Sequence, residues 1–481
     1  MKYTILDCYT DEPSGLGVPP YLGTYPRYLA GKFGKVDYIT IDDLRLHEIY
    51  KSKRKNEAKT NIKIYNTTNQ DIGRILKETK VLLVNLGVHT PGKYLSAVPG
   101  TLKEVIPLIN DLKCKKVLVG PANFGTQLTG GRSSENFNLD GVFDDFIWKI
   151  FEDYDELKEY AINGAYIFKK IPRESIVEIE TARGCQFGAC SFCTEPLKYG
   201  RKEQYRDQDD IHLEVKALMK NGAKHIRLGK QSCIFSYKNG EVKEIEKLMR
   251  PLAEMKLKTL HVDNVNPNLV NEERAKIFVE TCTPGNVAAF GVESFDMKVV
   301  IANKLNTKPE IAMRAIRILN KVGAKRGENG LPYLLPGLNL ILGLKNEDEE
   351  SLKINYDSLK EIIDEGLLLR RINIRQVVTL PGTEMEKTGY KYLKKNKTAY
   401  FNFRKKVRND IDRENLKRLV PAGTVLKDVR MEIYDGKTTF GRQMGTYPLV
   451  VGINNRLELE KYYNVRVTDY GLRSITGEIV K

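Results

Sequence analysis

Hydrophobic positions in the first 172 residues follow two spacings, one typical of strands and the other of helices. Short apolar runs end in glycine turns, and segments with helical spacing lie between them. The predicted strands are 3–8, 35–41, 81–87 and 116–121, with helices at 19–30 and 101–112. Because strands that alternate with helices form parallel sheets, residues 1–172 are predicted to be a doubly wound, Rossmann-like domain.

The same alternation continues through residues 173–386, a segment that we call the partial barrel. Helical spacing covers 207–221, 242–255 and 271–281, and each helix lies between strand-like segments. The repeated units predict a partial (β/α)6 barrel, whose reactive residues lie at the carboxyl ends of its strands. The apolar run 331–344 contains prolines and is too short to cross a membrane, so it is predicted to be a buried strand.

Beyond the partial barrel the pattern changes twice. Residues 387–418 carry twelve Lys and Arg against three Asp and Glu. From residue 421 onward, short alternating segments are separated by glycine turns, which is typical of a small all-β barrel. The predicted strands there are 425–433, 448–453 and 463–468. The expected domains are 1–172, 173–386, a basic linker at 387–420 and the β-barrel at 421–481.

The charge of the chain favours a polyanionic partner. The net charge is +16, and the basic linker interleaves its cations with five aromatic residues: Tyr390, Tyr392, Tyr400, Phe401 and Phe403. Cations for phosphates and rings for bases are what a groove for single-stranded nucleic acid requires, although a solvated helical face has a similar composition. In the small β-barrel, Arg442, Arg466 and Arg473 are spaced to face a ligand.

Three of the seven cysteines, Cys185, Cys190 and Cys193, lie within nine residues, directly after the predicted strand 176–180. A structural zinc site normally closes with a fourth Cys or His at short spacing, and the nearest candidate, His212, lies well downstream in a helical pattern. A redox dithiol leaves Cys185 unexplained, and a disulfide is not expected in a chain that opens without a secretory signal. Three thiolates can instead bind three irons of a four-iron cluster and leave the fourth iron open for a reacting ligand.

Residues 181–193 resemble the cluster-binding loop of the radical S-adenosylmethionine (SAM) superfamily. In that superfamily, SAM binds the open iron of a [4Fe-4S] cluster. The usual spacing is Cys-x3-Cys-x2-Cys, whereas this chain has one more residue in the first gap, which includes Gly188, so the loop is expected to bulge. The resemblance implies that the three cysteines bind the cluster and that Phe192 lies against the adenine of SAM.

Three later strand ends resemble the SAM-binding motifs of the same superfamily, and they occur in the same order. They are the segments 224–232, 290–295 and 338–344. The resemblance implies contacts with the amino group, the ribose or carboxylate, and the adenine of SAM, respectively. The cofactor-binding residues implied in this way are Gly229, Gln231, Glu293, Ser294, Asn339 and Gly343.

The Rossmann-like domain resembles the amino-terminal domain that binds cobalamin in one group of radical SAM enzymes. The Asp-x-His-x-x-Gly sequence that supplies a cobalt ligand there is absent, since neither His47 nor His89 lies in that context. We therefore expect no cobalamin, with cobalamin held without a histidine as the alternative.

A second cluster is not expected either. Methylthiotransferases carry three cysteines for it in their amino-terminal domain, whereas this chain has only Cys8 and Cys114 there. Cys233 and Cys282 remain in the partial barrel, and isolated cysteines are usually small buried residues.

The terminal β-barrel resembles the TRAM domain, an RNA-binding module at the end of tRNA methylthiotransferases. The whole chain resembles an archaeal family of radical SAM proteins with such a tail. The resemblance implies an enzyme that cleaves SAM to a 5′-deoxyadenosyl radical with an external electron donor and modifies RNA, with tRNA as the expected class. The alternative is a protein or small-metabolite substrate, with the β-barrel docking a partner. We expect a cytoplasmic protein without a membrane partner.

Overall fold

The computed structural model describes residues 1–12, 15–49, 66–88, 95, 97–128 and 134–480. His89 lies outside these residues. The chain divides into two compact units. Unit 1 comprises Met1–Ile179 with Arg206–Ile226, and unit 2 comprises Glu180–Tyr205 with Arg227–Lys481. Unit 2 therefore contains the cysteine loop, the ends of the later strands and the carboxyl-terminal barrel.

The first strands of the chain are β1 (Tyr3–Asp7), β2 (Asp11–Glu12), β3 (Gly15–Leu16), β4 (Tyr21–Leu22), β5 (Asp37–Thr40), β6 (Val81–Asn85), β7 (Lys115–Val119), β8 (Thr126–Leu128), β9 (Ser134–Asn136) and β10 (Asp145–Ile147). Five of them form a parallel sheet in the order β10-β7-β6-β1-β5. Counted along the chain this is the order 2-1-3-4-5 of flavodoxin-like folds, so the predicted doubly wound sheet is confirmed.

The helices of this region are α1 (Thr24–Phe33), α2 (Ile41–Leu44), α3 (Ile72–Glu78), α4 (Leu102–Ile109) and α5 (Tyr154–Asn163). The helix predicted at 19–30 begins only at Thr24, so its predicted start is wrong. Residues 21–22 form β4 and pair in parallel with Ile176 and Val177, and the Pro20 carbonyl accepts the Ile176 N–H at 2.7 Å. The residue before a proline avoids the helical conformation, which favours this extended start.

The strands of the partial barrel are β11 (Ile176–Glu180), β12 (Ala182–Arg183), β13 (Gln204–Tyr205), β14 (His225–Gly229), β15 (Thr259–Val262), β16 (Asn286–Glu293), β17 (Leu334–Leu342) and β18 (Arg371–Gln376). Strands β16, β17 and β18 form a parallel sheet in that order, with β18 at its edge. A bridge between Val265 and Phe290 connects the end of β15 to β16. The buried strand predicted within 331–344 is β17.

The helices of the partial barrel are α6 (Glu195–Tyr199), α7 (Gln208–Lys220), the irregular turn α8 (Tyr237–Gly240), α9 (Val242–Glu254), α10 (Glu272–Thr281), α11 (Met297–Ala302), α12 (Pro309–Gly323) and α13 (Glu349–Asp364). The three helices predicted from apolar spacing are observed as α7, α9 and α10. Helices α7 and α10 have side-chain caps at Asp207 and Asn271, which explains why their starts are readable from sequence.

The basic linker is helical. It contains α14 (Glu384–Thr388), α15 (Lys391–Lys395), α16 (Lys397–Lys406), a π-helical stretch (Val407–Asp412) and α17 (Arg413–Leu419). The chain then forms β19 (Val425–Asp435), β20 (Thr438–Gln443), β21 (Val450–Ile453), β22 (Tyr462–Tyr470) and β23 (Ser474–Ile479). These five strands close a barrel in the order β19-β20-β21-β23-β22, which confirms the predicted all-β barrel.

The carboxyl-terminal barrel shares its hydrophobic core with the partial barrel. Leu331 and Leu335 of the partial barrel pack in one cluster with Leu419 of α17 and with Leu426 and Val429 of β19. Burying these apolar groups together stabilises the contact between the two barrels. Within the part of the chain that the structure describes, no helix is long and apolar enough to cross a membrane.

Candidate functional site

The cysteine loop is closed at its base by the antiparallel pairing of β12 with β13. The Arg183 guanidinium in β12 donates to Glu180 Oε1 at 2.6 Å. The Thr181 N–H donates to the Gly229 carbonyl at 3.3 Å. These bonds fix both ends of the loop beside the carboxyl ends of β11 and β14, where a barrel of this kind places its reactive groups.

Gly188 provides the bulge that the longer first gap requires. Its φ of 54° lies in the left-handed region, and a Cβ there would lie 2.8 Å from Arg201 Cγ. In this conformation the Gly188 N–H donates to Cys185 Sγ at 3.4 Å. The additional residue is therefore accommodated by a glycine whose amide is directed at the first predicted cluster thiol.

The other two thiols also receive backbone hydrogen bonds. The amides of Asn306 and Glu195 bond to Cys190 and Cys193, respectively. Burial raises the pKa of Cys190 to about 12 and that of Cys193 to about 11, and the nearby Cys185 raises both further. The structure thus brings the three thiols together, each with an N–H donor to sulfur, which is the environment that suits iron–sulfur ligands.

Asn303 connects the cysteine loop to the chain after β17. It is fully buried, its carbonyl accepts the Ser191 N–H at 3.0 Å, and its side chain bonds to the Ser191 hydroxyl at 3.1 Å. The same side chain donates to the Lys345 carbonyl at 2.9 Å and accepts the Lys345 N–H at 3.0 Å. A single Asn after a helix carries no motif, so this role of Asn303 was not predictable from the sequence.

Glu293, at the end of β16, has a φ of 63°, which is unusual for a residue with a side chain. Its Oε2 atom is buried and has no hydrogen-bond partner among the described residues. Burial raises the pKa of Glu293 to about 8, and the positive charge of Arg375 partly opposes this. A buried carboxylate oxygen without a donor fits an ammonium or hydroxyl group of a ligand, as the resemblance to SAM-binding motifs implies.

Gly229, Gln231 and Ser294 make hydrogen bonds within the protein. The Gln231 side chain accepts the Thr181 hydroxyl at 3.0 Å and donates to the Leu228 carbonyl at 3.3 Å. The Ser294 hydroxyl accepts the Asp296 N–H at 3.2 Å and is fully buried. The structure places all three at the strand ends named from sequence. The hydrogen bonds of Gly229 and Gln231 join the end of β14 to the end of β11, and that of Ser294 joins the end of β16 to the turn that follows it.

Phe192 is half-buried against an apolar cluster at the ends of β17 and β18. The buried members of this cluster are Val299, Val300, Leu305, Leu344, Val377 and Met385, and Ile341 packs against it. An apolar surface of this kind suits a planar base. The charge of Glu293 acts on Cys190, two residues before Phe192 in the chain. The position predicted for adenine is therefore physically reasonable.

Asn339 and Gly343 lie on and after β17. Asn339 Oδ1 accepts Asn373 Nδ2 of β18 at 2.9 Å. Gly343 has a φ of 94°, and a Cβ there would lie 3.0 Å from both Leu393 and Val377. Glycine is therefore required at this position because side chains of the protein itself lie close to it.

Glu347 is a buried carboxylate that sequence analysis did not single out. Its Oε2 accepts the Gly343 N–H and the Tyr400 hydroxyl, both at 2.5 Å, while its Oε1 is buried without a partner among the described residues. Burial raises the pKa of Glu347 to about 7. Asn396 donates to the Glu347 carbonyl at 2.9 Å, so the basic linker is attached directly to the end of β17.

Two of the aromatic residues predicted to stack on bases are buried, so that prediction is wrong for them. Tyr400 is 2% exposed and Phe403 is 6% exposed, because both pack on the inner side of α16. Phe401 is 68% exposed and remains available. Arg442 is also unavailable to a ligand, since its Nε donates to the buried carboxylate of Glu432 at 2.9 Å.

A buried ion pair lies within the partial barrel. Arg227 of β14 pairs with Asp263, which follows β15, and both are almost fully buried. The ring of Tyr447, from the loop between β20 and β21, has its centroid 5.8 Å from the Arg227 guanidinium and 4.0 Å from that of Arg371. The sequence did not predict this group, because Tyr447 and Asp263 are 184 residues apart along the chain.

Comparison with known proteins identifies relatives of the whole chain. Residues 179–359 match the family model of the Radical SAM superfamily. An uncharacterised protein of Methanocaldococcus jannaschii is 44% identical, in a match that covers 99% of this chain and 93% of that protein. A second protein of the same organism, provisionally named a methylthiotransferase, is 29% identical over 173 residues, which is 35% of this chain and 36% of that protein.

Among solved structures, similarity extends to a radical S-adenosylmethionine methyltransferase from Kitasatospora setae with cobalamin and a [4Fe-4S] cluster bound. The superposition has a TM-score of 0.49 at 12% identity and covers 80% of this chain and 74% of that chain. Cys185, Cys190, Cys193 and Glu293 all lie in the segment that matches the family model.

Proposed function

This chain belongs to the radical SAM superfamily, and we propose that within it the protein is an enzyme that modifies RNA, with tRNA as the expected class. Its cofactors are a [4Fe-4S] cluster and SAM. When the cluster has been reduced by an external electron donor, these cofactors supply a 5′-deoxyadenosyl radical. The proposal concerns the substrate of that radical and the residues that hold the reactants.

Cys185, Cys190 and Cys193 would hold the cluster, and the residues around them fit that role. The backbone N–H groups directed at the three sulfurs stabilise the thiolate form that binds iron. Asn303 keeps the loop in register with the end of β17 through bonds on both sides. The protein's task here is to fix geometry and to exclude water from a reactive intermediate.

Glu293 and the apolar cluster beside Phe192 would orient SAM. Glu293 Oε2, which has no hydrogen-bond partner among the described residues, would accept a hydrogen bond from the amino group or the ribose, and the apolar cluster would cover the base. Arg375 maintains a positive charge beside this carboxylate, which favours its ionised form. Binding the cofactor from two sides leaves it in one orientation.

The RNA substrate is proposed because the features that suit RNA lie in the same compact unit as the predicted cofactor site. Unit 2 contains the cysteine loop, the basic linker and the five-stranded barrel, to which we assign the RNA-binding role of a TRAM domain. The linker is bonded to the end of β17 through Glu347. The provisional name of the methylthiotransferase relative supports a transferase class for the reaction.

Nucleoside analysis tests this proposal. Transfer RNA from cells with and without the gene is digested and compared by mass spectrometry, with a Cys190→Ala complemented strain as the control. We expect one modified nucleoside to be lost in the deletion and in the Cys190→Ala strain and to return with the wild-type gene. Identical profiles, together with no stimulation of 5′-deoxyadenosine release by RNA from the deletion strain, would favour the protein-or-metabolite alternative.

A further inference from the structure

The edge strand β18 has three polar residues at alternate positions, Arg371, Asn373 and Arg375, which therefore share one face. At one end of this face, the charge of Arg375 acts on Glu293. At the other end, the Arg371 guanidinium lies 4.0 Å from the ring centroid of Tyr447. A rise of about 3.3 Å per residue separates the two arginines by roughly 13 Å along the strand.

The basic linker places two more arginines beside the start of β18. Arg408 Nη1 donates to the carbonyl of Ile372, the residue after Arg371, at 3.2 Å. Arg408 also pairs with Asp412 and is mostly buried. Arg404 lies one helical turn earlier on the same face and is exposed. The edge of the partial barrel is thus lined by cations from a separate segment.

Arg473, in the turn between β22 and β23, joins this group from the carboxyl-terminal barrel. Its guanidinium group is partly desolvated although the residue is exposed, which lowers its pKa, and the charges of Arg408, Arg371 and Arg404 lower the pKa further. Asp412 is the carboxylate that opposes this effect. The charges of Arg371, Arg408 and Arg473, from three segments, therefore act on the Asp412 carboxylate, and the charge of Arg404 acts on Arg473. An anion bound among these cations would reduce their mutual repulsion.

We propose that Arg371, Arg404, Arg408 and Arg473, which we call the arginine cluster, form a site for backbone phosphates of the RNA substrate. Guanidinium groups bind phosphate oxygens in pairs of hydrogen bonds, which makes arginine the preferred residue for such a site. The inference rests on the proposed function and adds a location to it. The polar face of β18 leads from the arginine cluster to Glu293, so a chain held at one end extends toward the cofactor site.

An extended polymer fits this arrangement better than a small phosphorylated metabolite. A ligand that reaches both ends of the β18 face has to span roughly 13 Å, which is longer than one phosphate group. Lys405, between Arg404 and Arg408 in the linker, is a further exposed cation. A single-stranded or locally opened RNA segment presents phosphates at regular intervals along such a path.

The test compares double variants with the full-length wild type. Arg404→Glu with Arg473→Glu changes two exposed members of the arginine cluster. Lys276→Glu with Lys353→Glu makes the same change in net charge at exposed positions on α10 and α13. Binding of total tRNA is measured between about 50 and 200 mM salt, because phosphate contacts release counterions and set the slope of log affinity against log salt.

We expect the arginine variant to lower the magnitude of the salt slope by roughly 1.4, since each single-strand phosphate contact contributes about 0.7. The control variant, Lys276→Glu with Lys353→Glu, should keep the wild-type slope. Arg404→Lys with Arg473→Lys should retain most of the slope but lose affinity, because lysine keeps the charge without the paired geometry. Iron content and the thermal unfolding midpoint show whether each variant is folded, and Arg404→Gln with Arg473→Gln replaces the Glu variant if it is not.

Equal salt slopes for Arg404→Glu with Arg473→Glu and for the control variant would overturn the arginine cluster as a phosphate site, whether both slopes are reduced or both are unchanged. RNA could then still bind elsewhere on the protein. No tRNA binding by the wild type at any salt concentration would instead refute the proposed function itself. The two failures are therefore distinguishable in one set of titrations.

Discussion

The phenolic hydroxyl of Tyr447 donates a hydrogen bond to Asp263 Oδ1 across 3.2 Å, which joins the carboxyl-terminal barrel to the end of β15. In the same loop, the Thr446 N–H donates to His261 Nδ1 at 2.9 Å. Asp263 is paired with Arg227, so the loop contacts a buried charged group of the partial barrel. Together with the shared hydrophobic core, these bonds make deletion of 421–481 unsuitable as a test of RNA binding alone.

Substitution of Tyr447 tests this connection. Tyr447→Phe removes one hydrogen bond and should cost about 1 kcal/mol of stability. Tyr447→Ala also removes the ring beside Arg371 and should cost roughly 2–3 kcal/mol. Thermal unfolding of the cluster-loaded protein measures both. Tyr434→Phe is the matched control, since its hydroxyl donates to Leu457 within the barrel. Limited proteolysis should release the barrel faster in Tyr447→Ala only, and equal release would contradict the prediction.

Anaerobic reconstitution tests the cluster ligands. The wild type should bind about four irons per chain, and Cys190→Ala should lose them, because three thiolates are needed to hold the cluster. Cys282→Ala is the control, since that thiol is buried and lies outside the loop. Iron analysis and the visible absorption spectrum give the readout. Tightly bound zinc in the native protein, with iron unaffected in Cys190→Ala, would exclude the assignment.

Glu293→Ala should reduce SAM binding and 5′-deoxyadenosine release while the four irons are retained. The physical reason is the loss of a buried carboxylate oxygen that has no hydrogen-bond partner among the described residues. We expect a loss of at least tenfold in SAM affinity, or about 1.4 kcal/mol. Glu273→Ala, at an exposed position on α10, is the control. Unchanged affinity in Glu293→Ala would show that SAM does not contact this residue.

Glu347→Gln should change how stability depends on pH. The folded pKa of Glu347 is about 7, above its ordinary value of 4.5, so the folded protein binds more protons between these values. The stability that the folded protein gains by binding this proton is therefore fully present below pH 4.5 and is lost as the pH rises through 7. The variant should match the wild type near pH 4.5 and be more stable at pH 8, by up to about 3 kcal/mol. Thermal unfolding across this range checks it, with exposed Glu328→Gln as the control. A constant difference across the range would contradict the prediction.

Phe401→Ala and Phe403→Ala should have different effects. Phe401 is 68% exposed, so its loss should weaken RNA binding by roughly 1–3 kcal/mol with little change in salt slope or stability. Phe403 is 6% exposed, so its loss should instead destabilise the fold by roughly 3–5 kcal/mol. Titrations with tRNA and thermal unfolding separate the two effects. The reverse assignment of effects would place the stacking surface elsewhere.

Local sequence was sufficient for many of the elements. The strand 176–180 and helices α7, α9 and α10 agree with their predicted ranges within a residue, because their signals are periodic apolar residues and adjacent caps. Strands β20 and β23 were not predicted, because their sequences lack a clear alternation of apolar and polar residues. Their conformation depends on pairing with β19 and β22, which a local pattern does not record.

The sequence by itself determined the cysteine loop, the order of the strand ends and the identity of the superfamily, because each depends on residues that are neighbours in the chain. Only the tertiary structure decided which side chains remain exposed and able to contact a ligand. It buried Tyr400 and Phe403 and paired Arg442 with Glu432. It also brought Arg371 and Arg473, about one hundred residues apart, into one group. Burial and long-range pairing depend on how elements pack in space, which local periodicity does not specify.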